Sequence, residues 1–391
     1  MNPVLNPYCP GAGNQPPELA GRDELLTKAS IALQRIASGR AARSIILTGL
    51  RGVGKTVLLN RIRKDAEALH LITVRTEAPD GRSLPSLLAP GLKLALMKLN
   101  QRKTTEFVKR GLRTLATFVC AMKLKYHDIE IGLDVEPEPS LPLIDDLDEN
   151  LIQLFQSVGI AAQEQKTAVI IFIDELQMLD EKELGSLIMA LHIVAQDDLP
   201  ITLVAAGLPQ IAAKMGKAKT YAERLFEFPD IGKLNSAAAK QALTVPAEKL
   251  GVFYTAAALN EILKQTMGYA YFLQEWGKHA WDIAQASPIT ESHAIDATQL
   301  ALADLDANFF RVRFEQLTVM QKHYLRAMAE LGSNPQPSGA IAAVLGKKVT
   351  ELGAIREQLI NKGLLYSPSF GETAFTVPLF DAFMKRVVTS D

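Results

Sequence analysis

Residues 44–59, SIILTGLRGVGKTVLL, decide the fold. The apolar run at its start predicts a buried β-strand, the glycine-rich part a loop, and the apolar residues at its end a helix. Within the loop, Gly49, Gly54, Lys55 and Thr56 follow the spacing G-x-x-x-x-G-K-[ST]. Glycines let backbone N–H groups surround a triphosphate, the lysine adds a point charge for the β- and γ-phosphates, and the hydroxyl is a ligand for Mg²⁺. The stretch therefore predicts a nucleotide-binding loop, made of Gly49, Leu50, Arg51, Gly52, Val53, Gly54, Lys55, Thr56 and Val57.

The composition is that of an ordinary globular protein. The 391 residues are 48% hydrophobic and carry a net charge of −1, so we expect two or three domains and no overall attraction to nucleic acid or anionic membrane. The two cysteines, Cys9 and Cys120, exclude a disulfide framework and a cysteine-rich zinc site. The six histidines lack ligand-like spacing, so no metal ligand is predicted among them. Without a signal sequence or 18 consecutive apolar residues, the chain is expected to be cytoplasmic and not to span a membrane.

A second chemical motif lies at residues 168–175, AVIIFIDE. Its continuous apolar run predicts a central parallel strand that is covered on both faces. Ligands of open α/β sheets bind at the carboxyl ends of such strands, where this run ends in Asp174 and Glu175. Asp174 is therefore predicted to hold Mg²⁺ together with Thr56, and Glu175 to polarise the attacking water.

The two motifs together resemble the Walker A and Walker B motifs of ATPases, and the Asp-Glu pair separates the chain from Ras-like GTPases. Gly21 and Arg22 stand where a loop enters a helical pattern. They resemble the Gly-Arg motif that lies beside the adenine in the AAA+ and STAND ATPases nearest the origin-recognition initiators; a plain helix start is the alternative. The resemblance implies a Mg²⁺-dependent enzyme that hydrolyses ATP to ADP and phosphate.

Two further positions bear on hydrolysis. Many AAA+ proteins carry a polar sensor residue at the end of the next strand, where this chain has Gly207. The γ-phosphate is then sensed either by another group, for which Gln210 is the candidate, or only weakly, in which case slow hydrolysis is expected. Arg224 stands where related ATPases place an arginine that reaches a γ-phosphate, often across a subunit boundary. The resemblance thus implies a catalytic role for Arg224, and the alternative is a structural ion pair with Glu223 or Glu227.

Residues 93–149 divide sharply by charge. Residues 93–125 sum to +8 and residues 128–149 to −9, so the two blocks can neutralise each other if they fold together. The pattern predicts helices in the basic part and a hairpin over residues 123–135. The segment is interpreted as an insertion in the core, whose basic part either contacts nucleic-acid phosphates or is a solvated face.

The last part of the chain predicts a helical lid followed by a small module. Thr318 and Gln321 form a capping box for one helix, two more helices follow, and residues 364–377 predict a hairpin. Three helices and a hairpin resemble a winged-helix domain. Its third helix would offer three basic residues to the major groove of double-stranded DNA, namely Lys347, Lys348 and Arg356.

The sequence thus predicts an α/β P-loop core, a parallel sheet with flanking helices, followed by an α-helical lid and a small winged-helix domain. The expected parts are an extended segment at 1–17, the ATPase core at 18–228 with the charged insertion at 93–149, the lid and connecting helix at 229–313, and the winged helix at 314–391. One function hypothesis is an AAA+ switch that acts on DNA. The other is a STAND-like signalling or defence ATPase that hydrolyses slowly and forms homo-oligomers or contacts a protein partner.

Overall fold

The computed structural model describes residues 1–11, 13–79, 81–123, 125–132 and 135–388. They group into two compact units. The first, here called the core unit, combines Arg22–Gly49 with Lys55–Ile231. The second, called the C-terminal unit, combines Met1–Gly21, Leu50–Gly54 and Gly232–Asp391.

The core unit alternates helices and strands. In chain order it contains α1 (Asp23–Ala37), β1 (Ser44–Thr48), α2 (Lys55–Ala68), β2 (Ile72–Glu77), α3 (Leu84–Arg102), α4 (Glu106–Lys123), α5 (Leu147–Glu164), β3 (Val169–Asp174), a 3₁₀ turn (Leu176–Met178), α6 (Glu181–Gln196), β4 (Ile201–Gly207), α7 (Ile211–Ala218), α8 (Ala222–Leu225) and β5 (Phe226–Glu227).

The five strands form one parallel sheet in the order β2-β3-β4-β1-β5. Every residue of β1, β3 and β4 is buried, as expected for strands that are covered by helices on both faces. Ile46 of β1 pairs with Ala205 of β4, and Ile171 of β3 pairs with Leu203. This arrangement confirms the predicted α/β core and brings the carboxyl ends of β1, β3 and β4 to one edge of the sheet.

The charged segment 93–149 contributes to the core of this unit. Leu96 of α3 and Phe118 of α4 are 0% and 1% exposed and belong to the same apolar cluster as the sheet residues. The two charge blocks meet, as expected, in an ion pair of 3.0 Å between Arg113 Nε and Glu138 Oε2. The helices predicted for the basic part are confirmed by α3 and α4.

The hairpin predicted over residues 123–135 is wrong for the described residues of that stretch: Lys123 ends α4, and the others form turns and irregular chain. Residues 124, 133 and 134 lie outside the description. Lysine side chains bind two of its backbone carbonyls. Lys93 Nζ donates to Gly132 O at 2.7 Å, and Lys123 Nζ donates to Ile131 O at 3.2 Å. These carbonyls therefore need no neighbouring strand.

The C-terminal unit is mostly helical. It contains a 3₁₀ turn (Pro3–Leu5), α9 (Ser236–Glu248), α10 (Ala256–Thr266), α11 (Ala270–Ile283), α12 (Glu291–Asp304), a π-helical turn (Leu305–Phe310), α13 (Arg311–Glu315), α14 (Val319–Leu331), β6 (Gln336–Pro337), α15 (Ser338–Val344), α16 (Val349–Asn361), β7 (Leu365–Tyr366), β8 (Glu372–Phe375) and α17 (Phe380–Val387). The predicted helical region after the sheet is thereby confirmed.

The N-terminal segment runs over the helices of this unit. Tyr8 is 3% exposed, and its ring occupies the space where a side chain at Gly277 would lie. Trp281 Nε1 donates a hydrogen bond of 3.0 Å to Asn2 O. Trp281 and Trp276 are both buried.

The last 78 residues contain the predicted helices and hairpin together with two elements that the sequence pattern did not reveal, β6 and α17. The capping box at the start of α14 is present, since Thr318 and Gln321 exchange hydrogen bonds of 3.2 and 3.3 Å. β6, β8 and β7 form an antiparallel sheet in that order. The winged-helix assignment stays a prediction. Among the described residues, no helix is long and apolar enough to cross a membrane.

Candidate functional site

Lys55 is a buried cation at the start of α2. It is 8% exposed, and its Nζ donates a hydrogen bond of 2.9 Å to the carbonyl oxygen of Gly49. A buried ammonium requires acceptors close by, and the glycine-rich loop supplies this one. Its position at the start of a helix, where the dipole favours an anion, fits the predicted contact with phosphate oxygens.

Thr56 and Asp174 lie in direct contact. Thr56 Oγ1 donates to Asp174 Oδ2 at 2.7 Å, and the backbone N–H of Glu175 donates to Asp174 Oδ1 at 2.9 Å. Burial raises the pKa of Asp174, and the hydrogen bond from Thr56 partly offsets the effect. A hydroxyl and a carboxylate side by side are the oxygen ligands that Mg²⁺ prefers, so the residues fit the predicted metal.

Glu175 has left-handed backbone angles, φ 53° and ψ 39°. Such a conformation costs a non-glycine residue about 1 kcal/mol, and strain of this kind is concentrated at functional sites. Its carboxylate accepts a hydrogen bond from Nε2 of Gln177, whose Oε1 accepts from the backbone N–H of Leu208 at 3.1 Å. Gln177 therefore ties Glu175 to the end of β4.

Sequence reasoning missed Gln177 and considered Gln210 instead. A Cβ at Gly207 would lie 3.1 Å from Gln177 Oε1, so the absence of a side chain at Gly207 makes room for Gln177. Gln210 is half-buried, and its Oε1 has no hydrogen-bond partner among the described residues. A polar residue two positions after Glu175 was the signal that could have pointed to Gln177.

Residues Leu50–Gly54 of the nucleotide-binding loop belong to the C-terminal unit. Gly52 and Gly54 have φ of 81° and 98°, which glycine adopts without strain. The backbone N–H of Tyr271 donates to Gly52 O at 3.0 Å, and a Cβ at Gly52 would lie 3.2 Å from Cε1 of Tyr269. The first turn of α11 thus packs directly on this loop.

The same loop contacts the last part of the chain. Arg51 Nε donates a hydrogen bond of 3.2 Å to Gly363 O, at the turn between α16 and β7. Tyr269, whose pKa is raised by burial, donates from its hydroxyl to Thr376 O at 3.2 Å. Sequence reasoning assigned Arg51 to the nucleotide loop only and did not predict these contacts of Tyr269, Tyr271 and Gly363, because no local pattern marks contacts between segments so far apart.

Gly21 and Arg22 have different surroundings. Gly21, in the C-terminal unit, has φ of 67°, and a Cβ there would lie 2.6 Å from Cβ of Ala238. Arg22, in the core unit, precedes α1. Burial lowers the pKa of Arg22, and the charge of Asp230 opposes this effect. The contact of Gly21 and Arg22 with adenine stays a prediction.

Arg224 lies exposed on α8. Among the described residues it forms no ion pair with Glu223 or Glu227, the two partners considered from the sequence. An exposed guanidinium remains available to a second molecule. Its catalytic role stays a prediction.

The three basic residues considered for DNA differ in their contacts. Lys347 and Lys348 are exposed before α16. Arg356 instead holds α16 to the hairpin, since Nε donates to Thr373 Oγ1 at 2.7 Å and Nη2 donates to Glu372 O at 3.0 Å. The two lysines are therefore freer to bind a phosphate than the arginine.

Comparisons with known proteins bear on both units. A family described as "AAA ATPase domain" matches residues 18–204, and a domain of unknown function matches residues 307–384. The search of curated proteins found no match. Among solved structures, the Walker-type ATPase paby2304 of Pyrococcus abyssi has a TM-score of 0.60 at 15% identity, covering 97% of this chain and 99% of its own.

Two more distant structures show weaker similarity. The RuvB Holliday junction branch migration motor of Thermotoga maritima has a TM-score of 0.47 at 18% identity, covering 95% of both chains. The Orc1 protein of Aeropyrum pernix, solved in complex with DNA, has a TM-score of 0.46 at 15% identity, covering 95% of this chain and 94% of its own.

Proposed function

Because the chain is an AAA+ P-loop ATPase with its AAA ATPase domain at residues 18–204, we propose that it is a switch in which bound ATP controls the C-terminal module. The observation that carries this proposal is the hydrogen bond from Arg51, in the nucleotide-binding loop, to Gly363 O in that module. A loop that wraps a triphosphate must position its backbone N–H groups toward the phosphates. When the loop rearranges around the phosphates, any shift of Arg51 is transmitted to Gly363 through their hydrogen bond.

The chemistry follows from the core unit. Lys55 is proposed to bind the β- and γ-phosphates, exchanging its contact with Gly49 O for phosphate oxygens. Thr56 and Asp174 would hold Mg²⁺, which supplies charge neutralisation at the phosphates when bound. Glu175 would accept a proton from the attacking water, with Gln177 fixing its carboxylate. Arg224 is proposed to act on the ATP of a neighbouring subunit.

The remaining binding residues follow the same pattern. We propose that Gly49, Leu50, Gly52, Val53, Gly54 and Val57 complete the phosphate loop, with Gly21 and Arg22 beside the adenine. The functional parts proposed are an N-terminal segment at 1–17, the ATPase core at 18–228, a lid and connecting helix at 229–313 and a winged-helix domain at 314–391. The three-stranded antiparallel sheet beside α14, α15 and α16 supports the last assignment.

Hydrogen–deuterium exchange of residues 363–377 tests the coupling. In wild type we expect different exchange in the nucleotide-free and ATP states, with Glu175→Gln used to retain ATP. Arg51→Ala should make exchange fast in both states, because the tie to Gly363 is lost. Arg82→Ala, at an exposed arginine in the loop before α3, is the matched control and should behave as wild type. Equal exchange in both nucleotide states of wild type would refute the coupling.

Double-stranded DNA is the proposed target of the module. The supporting observation is the exposure of Lys347 and Lys348 next to the helix that the winged-helix prediction places in the major groove. Binding of duplex DNA should weaken with salt, and Lys347→Ala/Lys348→Ala should reduce the slope of log K against log salt by about 2. Lys385→Ala, at an exposed lysine of α17, is the control. Absence of binding at low salt in every nucleotide state would eliminate DNA as the target.

The STAND-like signalling switch is the second candidate. It is favoured by the exposed Arg224, which an assembly of several copies could use. Measurements of particle mass separate the two candidates. They are made with ATP, with ADP and without nucleotide, each in the presence and absence of duplex DNA. ATP-dependent growth in mass with no binding of DNA in any nucleotide state would indicate the signalling switch, whereas nucleotide-dependent binding of DNA would indicate the DNA-acting one.

A further inference from the structure

A buried cluster of metal-binding side chains lies within the C-terminal unit, between α11 and α12. It consists of Glu275 and His279, one helical turn apart on α11, and Asp304, the last residue of α12. Glu275 and His279 are 7% and 8% exposed, while the Asp304 side chain is 44% exposed. One side of the cluster is therefore closed and the other reaches solvent.

The separations of the donor atoms fit a shared ion. His279 Nε2 lies 3.1 Å from Asp304 Oδ2 and 4.0 Å from Glu275 Oε2, and one donor atom from each of the three residues lies within 4.8 Å of the others. Donors bound to one ion at about 2.0–2.2 Å lie about 3–4 Å apart, so the first two separations need little adjustment.

His279 Nε2 lies close to a carboxylate oxygen without donating a hydrogen bond to it. Although Asp304 Oδ2 is 3.1 Å away, His279 Nε2 makes no hydrogen bond with any described residue. The carboxylate oxygen must then lie off the direction in which the ring nitrogen can donate. A buried ring nitrogen without a partner is costly, and a metal ion between the two side chains would use its lone pair.

Glu275 is already oriented as a ligand. Its Oε1 accepts a hydrogen bond of 2.8 Å from the hydroxyl of Tyr271, which leaves Oε2 toward His279. Hydrogen bonds of this kind fix the carboxylates that bind metals. Tyr271 also donates its backbone N–H to Gly52 O, so the cluster begins one turn from the nucleotide-binding loop.

We propose that Glu275, His279 and Asp304 bind one divalent transition-metal ion, Zn²⁺ or Mn²⁺, that joins α11 to α12. One imidazole and two carboxylates form the mixed nitrogen and oxygen ligand set that these ions accept. No metal ligand was predicted among the histidines from the sequence. The Glu-x-x-x-His spacing on a single helix was the signal that could have identified His279, whereas Asp304 is brought in by the packing of α12.

Zinc binding by the tag-free, nucleotide-free chain tests the proposal and does not depend on ATP hydrolysis. After metal is stripped, wild type should bind one Zn²⁺ per chain and gain thermal stability as zinc is added. His279→Gln and Asp304→Asn should each weaken binding about tenfold or more, and Tyr271→Phe about tenfold. His323→Gln, at an exposed histidine on α14, should bind zinc like wild type.

A second variant keeps the test decisive if His279→Gln fails to fold. Lys278 Nζ lies 3.8 Å from Asp304 Oδ2, and its charge competes with a metal ion. Lys278→Gln should therefore tighten zinc binding several-fold. The proposal is overturned if wild type binds neither Zn²⁺ nor Mn²⁺, if folded His279→Gln binds zinc as tightly as wild type, or if Lys278→Gln leaves the affinity unchanged.

Discussion

The hydroxyl of Thr56 donates a hydrogen bond of 2.7 Å to Oδ2 of Asp174, although the two residues are 118 positions apart. The contact joins the first turn of α2 to the end of β3. It exists because parallel strands deliver their carboxyl ends to one edge of the sheet, where α2 also begins.

Asp174→Asn should raise the melting temperature of the nucleotide-free protein at pH 7. Burial raises the pKa of Asp174, so this group stabilises the fold while it is protonated. That contribution is fully present below the unfolded-state pKa and is lost as pH rises through the higher folded-state pKa. The advantage of the variant should thus shrink as pH falls toward about 4. Thermal melts of wild type and variant between pH 7 and pH 4 measure this trend, and an advantage that does not change with pH would contradict the prediction.

Lys55→Ala and Glu175→Gln should separate binding from hydrolysis. Loss of the buried ammonium should abolish ATP binding, because its charge is proposed to bind the β- and γ-phosphates. Glu175→Gln should bind ATP normally and hydrolyse it about 10²–10⁴ times more slowly, as expected when a general base is removed. Nucleotide binding and phosphate release measure the two effects. If Glu175→Gln hydrolyses at the wild-type rate, Glu175 does not activate the water.

Gln177→Ala should lower kcat about tenfold while leaving KM for ATP unchanged. Gln177 contacts Glu175 and Leu208, and it is not proposed to touch the nucleotide. The loss therefore reflects a misplaced carboxylate. Gln177→Glu should be worse than Gln177→Ala, because it sets a second negative charge against Glu175. Gln153→Glu, on α5, is the control. Equal rates for wild type and both Gln177 variants would contradict the positioning role.

Gly268→Ala should destabilise the C-terminal unit more than Gly346→Ala does. Both glycines have positive φ, 76° and 61°, and such strain costs alanine about 1 kcal/mol. At Gly268 the added Cβ would also lie 2.3 Å from Leu234 O, whereas at Gly346 it would meet no atom within 4 Å. This clash should lower the free energy of unfolding of Gly268→Ala by a further amount of about 1–3 kcal/mol. Urea unfolding of both variants measures the difference. Equal midpoints would mean that the turn before α11 shifts freely.

The sheet and its catalytic edge could be predicted from sequence because their signals are local. An apolar run followed by Asp174 and Glu175, or glycines followed by Lys55, needs no knowledge of distant residues. Gln177 was not predicted because its role depends on the space left by Gly207, which lies at the end of β4. The hydrogen bond from Arg51 to Gly363 joins residues 312 positions apart. Its acceptor is a backbone carbonyl, which every residue has, so the residue types do not predict it.

The hairpin predicted over residues 123–135 failed for a related reason. Alternation of polar and apolar residues reports which side chains are buried, and Ile129 is indeed 6% exposed. It does not report what binds the backbone. Here Lys93 and Lys123, from α3 and α4, bind carbonyls of the stretch with their side chains. Alternation therefore arises in the described part of this segment without a paired strand.

Arg224→Ala should abolish most hydrolysis while preserving ATP binding. Arg224 is exposed, and an arginine that stabilises charge at the transferred phosphoryl group contributes about 10³-fold or more to the rate.

If Arg224 acts on the ATP of a neighbouring subunit, mixing two inactive variants should restore hydrolysis. Arg224→Ala subunits retain Glu175, and Glu175→Gln subunits retain Arg224, so about one interface in four of a random mixture would hold both groups. Phosphate release by the mixture should then exceed that of either variant alone, and Arg43→Ala, at an exposed arginine before β1, should need no complementation. A mixture as inactive as its two components would show that Arg224 does not act between subunits.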